Sequence, residues 1–267
     1  IERLQKEPNL SSSTKLIEVV KKLDNPVIGH QAIKLFLEHK NLRNSLFNLI
    51  LQLSGYAQYF KIVNKDVVID EPKPHKLDDS LFEQLLKALC EIDEKNLLIR
   101  LIPKTTFCKL PNIDNYLDIL TKFNDDNVRQ LALTSCTTRL IEFSVKPDTL
   151  KSALSHTDPI TKFLASEGLA LAGYDYGIQV LLTGIDMLQN LNHRERCVLA
   201  LGKLASLRAL DTLLNLATND EHALQESAIE AIGYMKNSEK SNEIFELLKK
   251  YVLGDKKGLK IRALTGL

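Results

Sequence analysis

The sequence predicts an all-α protein, an α-solenoid in which helix pairs stack into a right-handed superhelix. Three observations predict it. First, a stripe of small residues recurs: Arg129, Ala132 and Ser135; Lys162, Ala165 and Gly168; Arg194, Cys197 and Ala200; Gln225, Ala228 and Ala231; Lys260, Ala263 and Gly266. Successive copies are 33, 32, 31 and 35 residues apart, a period that holds two helices per unit. Second, each stripe is preceded by a helix-length pattern with a wider apolar face, and neither helix can bury its face alone, so the units must stack. Third, the 267 residues are 44% hydrophobic but only 6% aromatic, with no Trp. Packing therefore rests on Leu, Ile, Val and Ala, a mixture that favours helices.

The elements follow in chain order. SSSTKLIEVVKKL (11–23) offers N-cap candidates and then an amphipathic helix, and PVIGHQAIKLFLEHK (26–40) and NLRNSLFNLILQL (41–53) supply two more. Gly29, Ala32 and Leu35 echo the stripe, the pattern of a degenerate repeat. SGYAQYFKIVNKDVVIDEPKPHK (54–76) breaks the helical period with Gly55, Pro72 and Pro74, so a long loop with a short extended piece at 67–69 is expected. Its Tyr56, Tyr59 and Phe60 either pack on the array or form an exposed patch. Helices resume at 79–92 and 94–102, before a second irregular stretch at 103–112. Insertions of this length in a compact array are often functional. Residues 1–112 are thus expected to be the irregular N-terminal part.

From 113 onwards the repeats fall at about 113–142, 147–173, 175–204, 206–235 and 238–267. Their first helices are expected at 115–123, 148–156, 176–188, 206–217 and 242–253, divided from the stripes by NDD, TDP, TND and GDKKG. Small residues three and six or seven apart share one helix face and let a neighbouring helix come close. A glycine inside a helix costs about 1 kcal/mol. Gly202 and Gly233 are therefore expected near helix ends or where another backbone approaches. The closing LKIRALTGL is a truncated copy without the polar outer face of a terminal repeat, so the array is expected to continue beyond Leu267.

This pattern resembles HEAT repeats, an armadillo-like architecture, and in particular the short kind found in bacterial HEAT proteins and in phycobilisome-lyase-like families. In that family the second helix opens with an acidic residue four before an Arg, then Ala, then Ala-Leu-Gly-x-Leu. Here Asp125 stands four before Arg129, Asp158 before Lys162, Asn190 before Arg194 and Glu221 before Gln225. ALGKL at 200–204 is a close match, AIGYM at 231–235 a good one and CTTRL at 136–140 a poor one. The resemblance covers about 113 to 267 and implies architecture far more than function. The acidic positions read as helix caps that also meet the positive end of the helix dipole, with the Arg or Lys one turn on bridging to the cap or to the next unit.

Composition and motifs then narrow the function. With 35 basic against 34 acidic side chains, nothing has the basic footprint of a general nucleic-acid binder. Cys90, Cys108, Cys136 and Cys197 form no CxxC pair, and read as small core residues in a reducing compartment. No signal core or membrane-length apolar run is present, so a cytoplasmic protein is expected. HEAT-like hydroxylases hold two irons with His-Glu dipeptides. None of His30, His39, His75, His156, His193 or His222 is followed by Glu. HEAT-like DNA glycosylases use a basic concave face and aromatic residues including Trp, which this chain lacks. Phosphate loops, nucleophile elbows and calcium loops are also missing, so no catalytic, cofactor or metal residue is assigned.

In a HEAT stack the second helices line the inner surface. If the small face looks at the first helix, the residues one and five after each anchor point into the groove. These are Gln130, Phe163, Glu195 and Glu226, and Thr134, Glu167, Leu199 and Glu230; four of the eight are Glu and none is basic. One reading is an acidic strip with Phe163 as apolar anchor for a basic peptide or protein segment. The other is a solvated face, with Phe163 packed between units. The expected function is a non-catalytic scaffold or regulatory module that binds a protein or peptide. The alternatives are a phycobilin-lyase-like or other modifying enzyme, and a nucleic-acid-binding module, which would need a continuous positive stripe.

Overall fold

The structure, a computed structural model, describes residues 26–55, 61–63, 66–68, 78–92, 94–106, 108, 110–219, 223–235 and 240–266. The helix expected at 11–23, the aromatic residues Tyr56, Tyr59 and Phe60, and Glu221 lie outside these. The chain divides into two compact units, Ile1–Ser135 and Cys136–Leu267.

In the first unit, α1 (Pro26–Glu38) and α2 (Arg43–Leu53) are joined by a 3-10 turn, and are followed by α3 (Asp79–Ile92), α4 (Lys95–Thr105), α5 (Ile113–Thr121) and the start of α6 (Asp126–Phe143). Helix α3 forms because Leu81, Phe82, Leu85, Leu86 and Leu89 recur at helical spacing, and all five are buried. The Asp78 carboxylate caps its start by accepting from the Leu81 N–H at 3.0 Å. α1 packs on α2 and on α3, and Phe36, Phe47 and Phe82 are the largest side chains of the resulting core.

Two expectations need correction here. Within 54–76, residues Lys61–Val63 (β1) and Asp66–Val68 (β2) pair as an antiparallel hairpin, with Ile62 opposite Val67. The extended piece thus has a partner strand and begins one residue earlier. Helix α4 also runs on through Pro103 to Thr105, where irregular chain was expected. Pro103 stands in the last turn, so the helix ends at Thr105, soon after the one backbone bond that the proline removes. The Ile102 carbonyl accepts from the Thr105 hydroxyl at 2.6 Å and from the Ser135 hydroxyl at 3.3 Å.

The second unit continues with α7 (Asp148–Ala153), α8 (Pro159–Leu171), α9 (Ile178–Met187), α10 (Leu191–Lys203), α11 (Leu207–Thr218), α12 (Gln225–Gly233), α13 (Ser241–Leu253) and α14 (Lys257–Gly266). These are helix pairs. The second helices α8, α10, α12 and α14 each pack on the next, while each first helix packs chiefly on its own second helix. The small stripe explains both contacts. Ala165, Cys197, Ala228 and Ala263, three after each anchor, are buried. A Cβ on Gly184 of α9 would lie 2.9 Å from the Cys197 Sγ, so this position faces the first helix. The later small residues face the neighbouring second helix instead. A Cβ on Gly202 would lie 2.6 Å from the Cα of Ala231, which leaves room for hydrogen only. Among the described residues no helix is long and apolar enough to cross a membrane.

Burial also fixes the thiol chemistry. It raises the Cys197 thiol from 9.0 to about 12, with the nearby Glu167 charge adding to the rise and Arg196 opposing it. The folded state therefore keeps a proton that the unfolded chain releases near pH 9.0. Stability from this group is complete below pH 9 and falls as pH climbs towards the folded value. Urea midpoints measured above pH 9 should decline less steeply in Cys197→Ala than in the parent.

Candidate interaction surface

The orientation of each second helix is set at its N-terminus. Asp125 accepts from the N–H groups of Asn127 and Val128 at 3.1 and 3.2 Å, and Asp158 from Ile160 and Thr161 at 3.3 and 2.8 Å. Asn190 accepts from Asn192 at 2.9 Å. These are N-caps, which satisfy donors that the helix itself cannot. The anchor one turn later reaches back along the chain, and Gln225 also meets the Tyr251 hydroxyl of the next first helix at 3.4 Å. Arg129 donates to the Phe123 carbonyl at 2.9 Å, Arg194 to the Ile185 carbonyl, and Gln225 to the Ala217 carbonyl at 3.1 Å. Each joins the end of a first helix to the start of its second helix, and Arg129 also pairs with Asp126.

With the helices so fixed, the predicted groove residues separate into three groups. Phe163 is corrected first: it is 1% exposed and belongs to the core. Its ring centre lies 5.1 Å from that of His193, and the Arg196 guanidinium sits over it at 5.1 Å. Position one after the anchor faces solvent in a lone helix, but here α9 and α10 close over it.

Glu167 and Glu230 form the second group, engaged within the array. Arg196 grips Glu167 through two nitrogens, its Nε at 2.7 Å. Arg262 pairs with Glu230, which also accepts from the Tyr234 hydroxyl at 3.3 Å. Burial and the Glu230 charge hold that Tyr234 hydroxyl above its usual range. In both pairs the acid five after one anchor meets the Arg two after the next. Leu199, at the same position between them, is half-buried. Sequence reasoning missed Arg196 and Arg262, although setting each repeat beside its successor shows the Glu and Arg in matching columns.

The third group lies at the surface. Glu195 is half-buried and Glu226 exposed, and among the described residues neither forms an ion pair or hydrogen bond. They hold the same register on α10 and α12 and border one surface cavity of about 300 Å³ with Gln225, Lys256 and Leu259. Gly258 of α14 is what leaves room for the Glu226 carboxylate. In the first unit, Gln130 and Thr134 are exposed beside a cavity of about 390 Å³ with Ile99 and Leu131.

Residues 147–233, the stretch that holds Phe163, Glu167, Glu195, Glu226 and Glu230, match the family model for HEAT repeats. This stretch is built of HEAT repeats. No curated protein matches the chain. HEAT repeats commonly mediate protein–protein interaction. Within it the carbonyl-bound anchors Arg194 and Gln225 hold α10 and α12 so that the next residue, Glu195 or Glu226, reaches the surface.

Proposed function

We propose that this chain is a non-catalytic interaction module, and that the HEAT second-helix layer is the concave side on which a protein or peptide segment lies. The observation that carries this reading is the pair Glu195 and Glu226: same register, successive repeats, one shared cavity, no internal partner. Two unengaged carboxylates one repeat apart suit a basic segment running across the helices. Glu167 and Glu230 support the layer instead of reaching the partner. We place the module in the cytoplasm, where its widely spaced thiols stay reduced.

The test is the fluorescence anisotropy of a labelled octalysine peptide at low salt. Reversing both charges, Glu195→Lys with Glu226→Lys, is expected to weaken binding by about tenfold, the size two partly exposed charges supply. Added salt should weaken binding to the parent protein. Unchanged affinity in the double variant would remove the acidic pair from the proposal.

A further inference from the structure

A second surface feature of the HEAT segment has different chemistry. Between the start of α8 and α9 lies an apolar groove lined chiefly by Pro159, Phe163, Val180, Met187 and Leu188, with Lys162 on its wall. Its volume is about 240 Å³. Sites that enclose a whole small molecule run to roughly 300–1,000 Å³, so this groove takes a side chain, not a cofactor. Met187 at its mouth is 75% exposed.

Lys162 breaks the rule of the array. The anchors Arg129, Arg194 and Gln225 donate to carbonyls of the preceding helix. Lys162 and Lys260 make no such contact among the described residues, and whereas Lys260 is exposed, Lys162 is half-buried against the groove. The carboxylate four residues before it, Asp158, is engaged in capping Ile160 and Thr161 and accepts from the Thr161 hydroxyl at 2.6 Å. The result is an apolar slot with an unengaged ammonium on its wall.

We infer that this groove is a subsite for one apolar side chain of a peptide partner, with a neighbouring carboxylate of that partner paired to Lys162. The inference rests on the reading of the array as a peptide-binding module. It adds an acidic-apolar element to the partner, separate from the basic residues that meet Glu195 and Glu226.

The test uses Met187→Cys in the full chain, which places a thiol at the groove mouth. Cys108, Cys136 and Cys197 are buried, and burial raises the Cys90 thiol to about 11, so the new thiol dominates exchange. Three disulfide-capped probes are equilibrated with it and read by intact mass: one carries a phenyl ring and a carboxylate, one a phenyl ring and an ammonium, one a phenyl ring alone. The phenyl carboxylate is expected to be retained about two- to fivefold more than the phenyl ammonium at low salt, as for a partly exposed ion pair. Adding Lys162→Gln should erase that preference. Adding Thr183→Trp, at an exposed position on the groove wall, should lower retention of all three. Equal retention of the two charged probes, a preference that survives Lys162→Gln, or retention untouched by Thr183→Trp would each overturn the inference. Octalysine binding that still depends on Glu195 and Glu226 would show that only the groove had failed. Probe preference without any octalysine binding would withdraw the peptide reading itself.

Discussion

Gly202→Leu is expected to abolish cooperative folding of the second unit at moderate temperature. A Cβ at this position would lie 2.6 Å from the Cα, Cβ and carbonyl oxygen of Ala231, and two of those three atoms are backbone. No rotamer change on α12 relieves such a clash. Either α10 and α12 separate along their whole contact, or the helix breaks at Lys203. Overpacking of cores costs about 1–3 kcal/mol and more where backbone must move, a large part of what holds a domain folded. Gly254→Ala is the matched control. Its Cβ would meet the carbonyl oxygens of Lys250 and Tyr251 at 3.4 and 3.5 Å, ordinary contacts, so a change within about 0.5 kcal/mol is expected. Urea unfolding followed by circular dichroism distinguishes the two. Equal midpoints would mean that the small stripe is not what sets the stacking distance.

Phe163→Ala is expected to cost about 3–5 kcal/mol, the usual result of truncating a buried aromatic side chain. The ring is 1% exposed and packs with Ile178, Leu181, Cys197 and Val198 in one core, so its loss leaves a cavity and also frees the Arg196 guanidinium and the His193 ring. Phe163→Leu keeps most of the volume and should cost about 1 kcal/mol. Thermal melting of the two variants measures this directly. A Phe163→Ala protein as stable as the parent would return this residue to the surface as a partner anchor.

Much of the fold is legible because stacking makes strict demands. Positions three and six after each anchor must be small, and Ala165 and Gly168, Cys197 and Ala200, and Ala228 and Ala231 carry that demand openly. Asp125, Asp158 and Asn190 announce helix starts for an equally local reason. The candidate surface was less legible because a helical wheel gives the direction of a side chain and not what lies in that direction. Phe163 points away from its own small face, yet α9 and His193 cover it. Glu167 and Glu230 meet Arg196 and Arg262, 29 and 32 residues on, a spacing that varies with the turns between helices. The contact of the Ser135 hydroxyl with the Ile102 carbonyl near the end of α4 was hidden for a similar reason, since the two residues lie 33 positions apart.

The central claim is that the array divides its acidic residues into those that hold neighbouring repeats together and those left for a partner. The measurement that meets it most directly compares two double variants of equal charge change, Glu195→Gln with Glu226→Gln and Glu167→Gln with Glu230→Gln, for both octalysine affinity and melting temperature. The first pair is predicted to lose affinity with an unchanged melting temperature. The second should melt a few degrees lower, because each half-buried ion pair contributes about 1 kcal/mol, and should bind with the smaller loss. The reverse pattern, or equal losses of affinity from both pairs, would contradict the division and leave net charge alone as the source of binding.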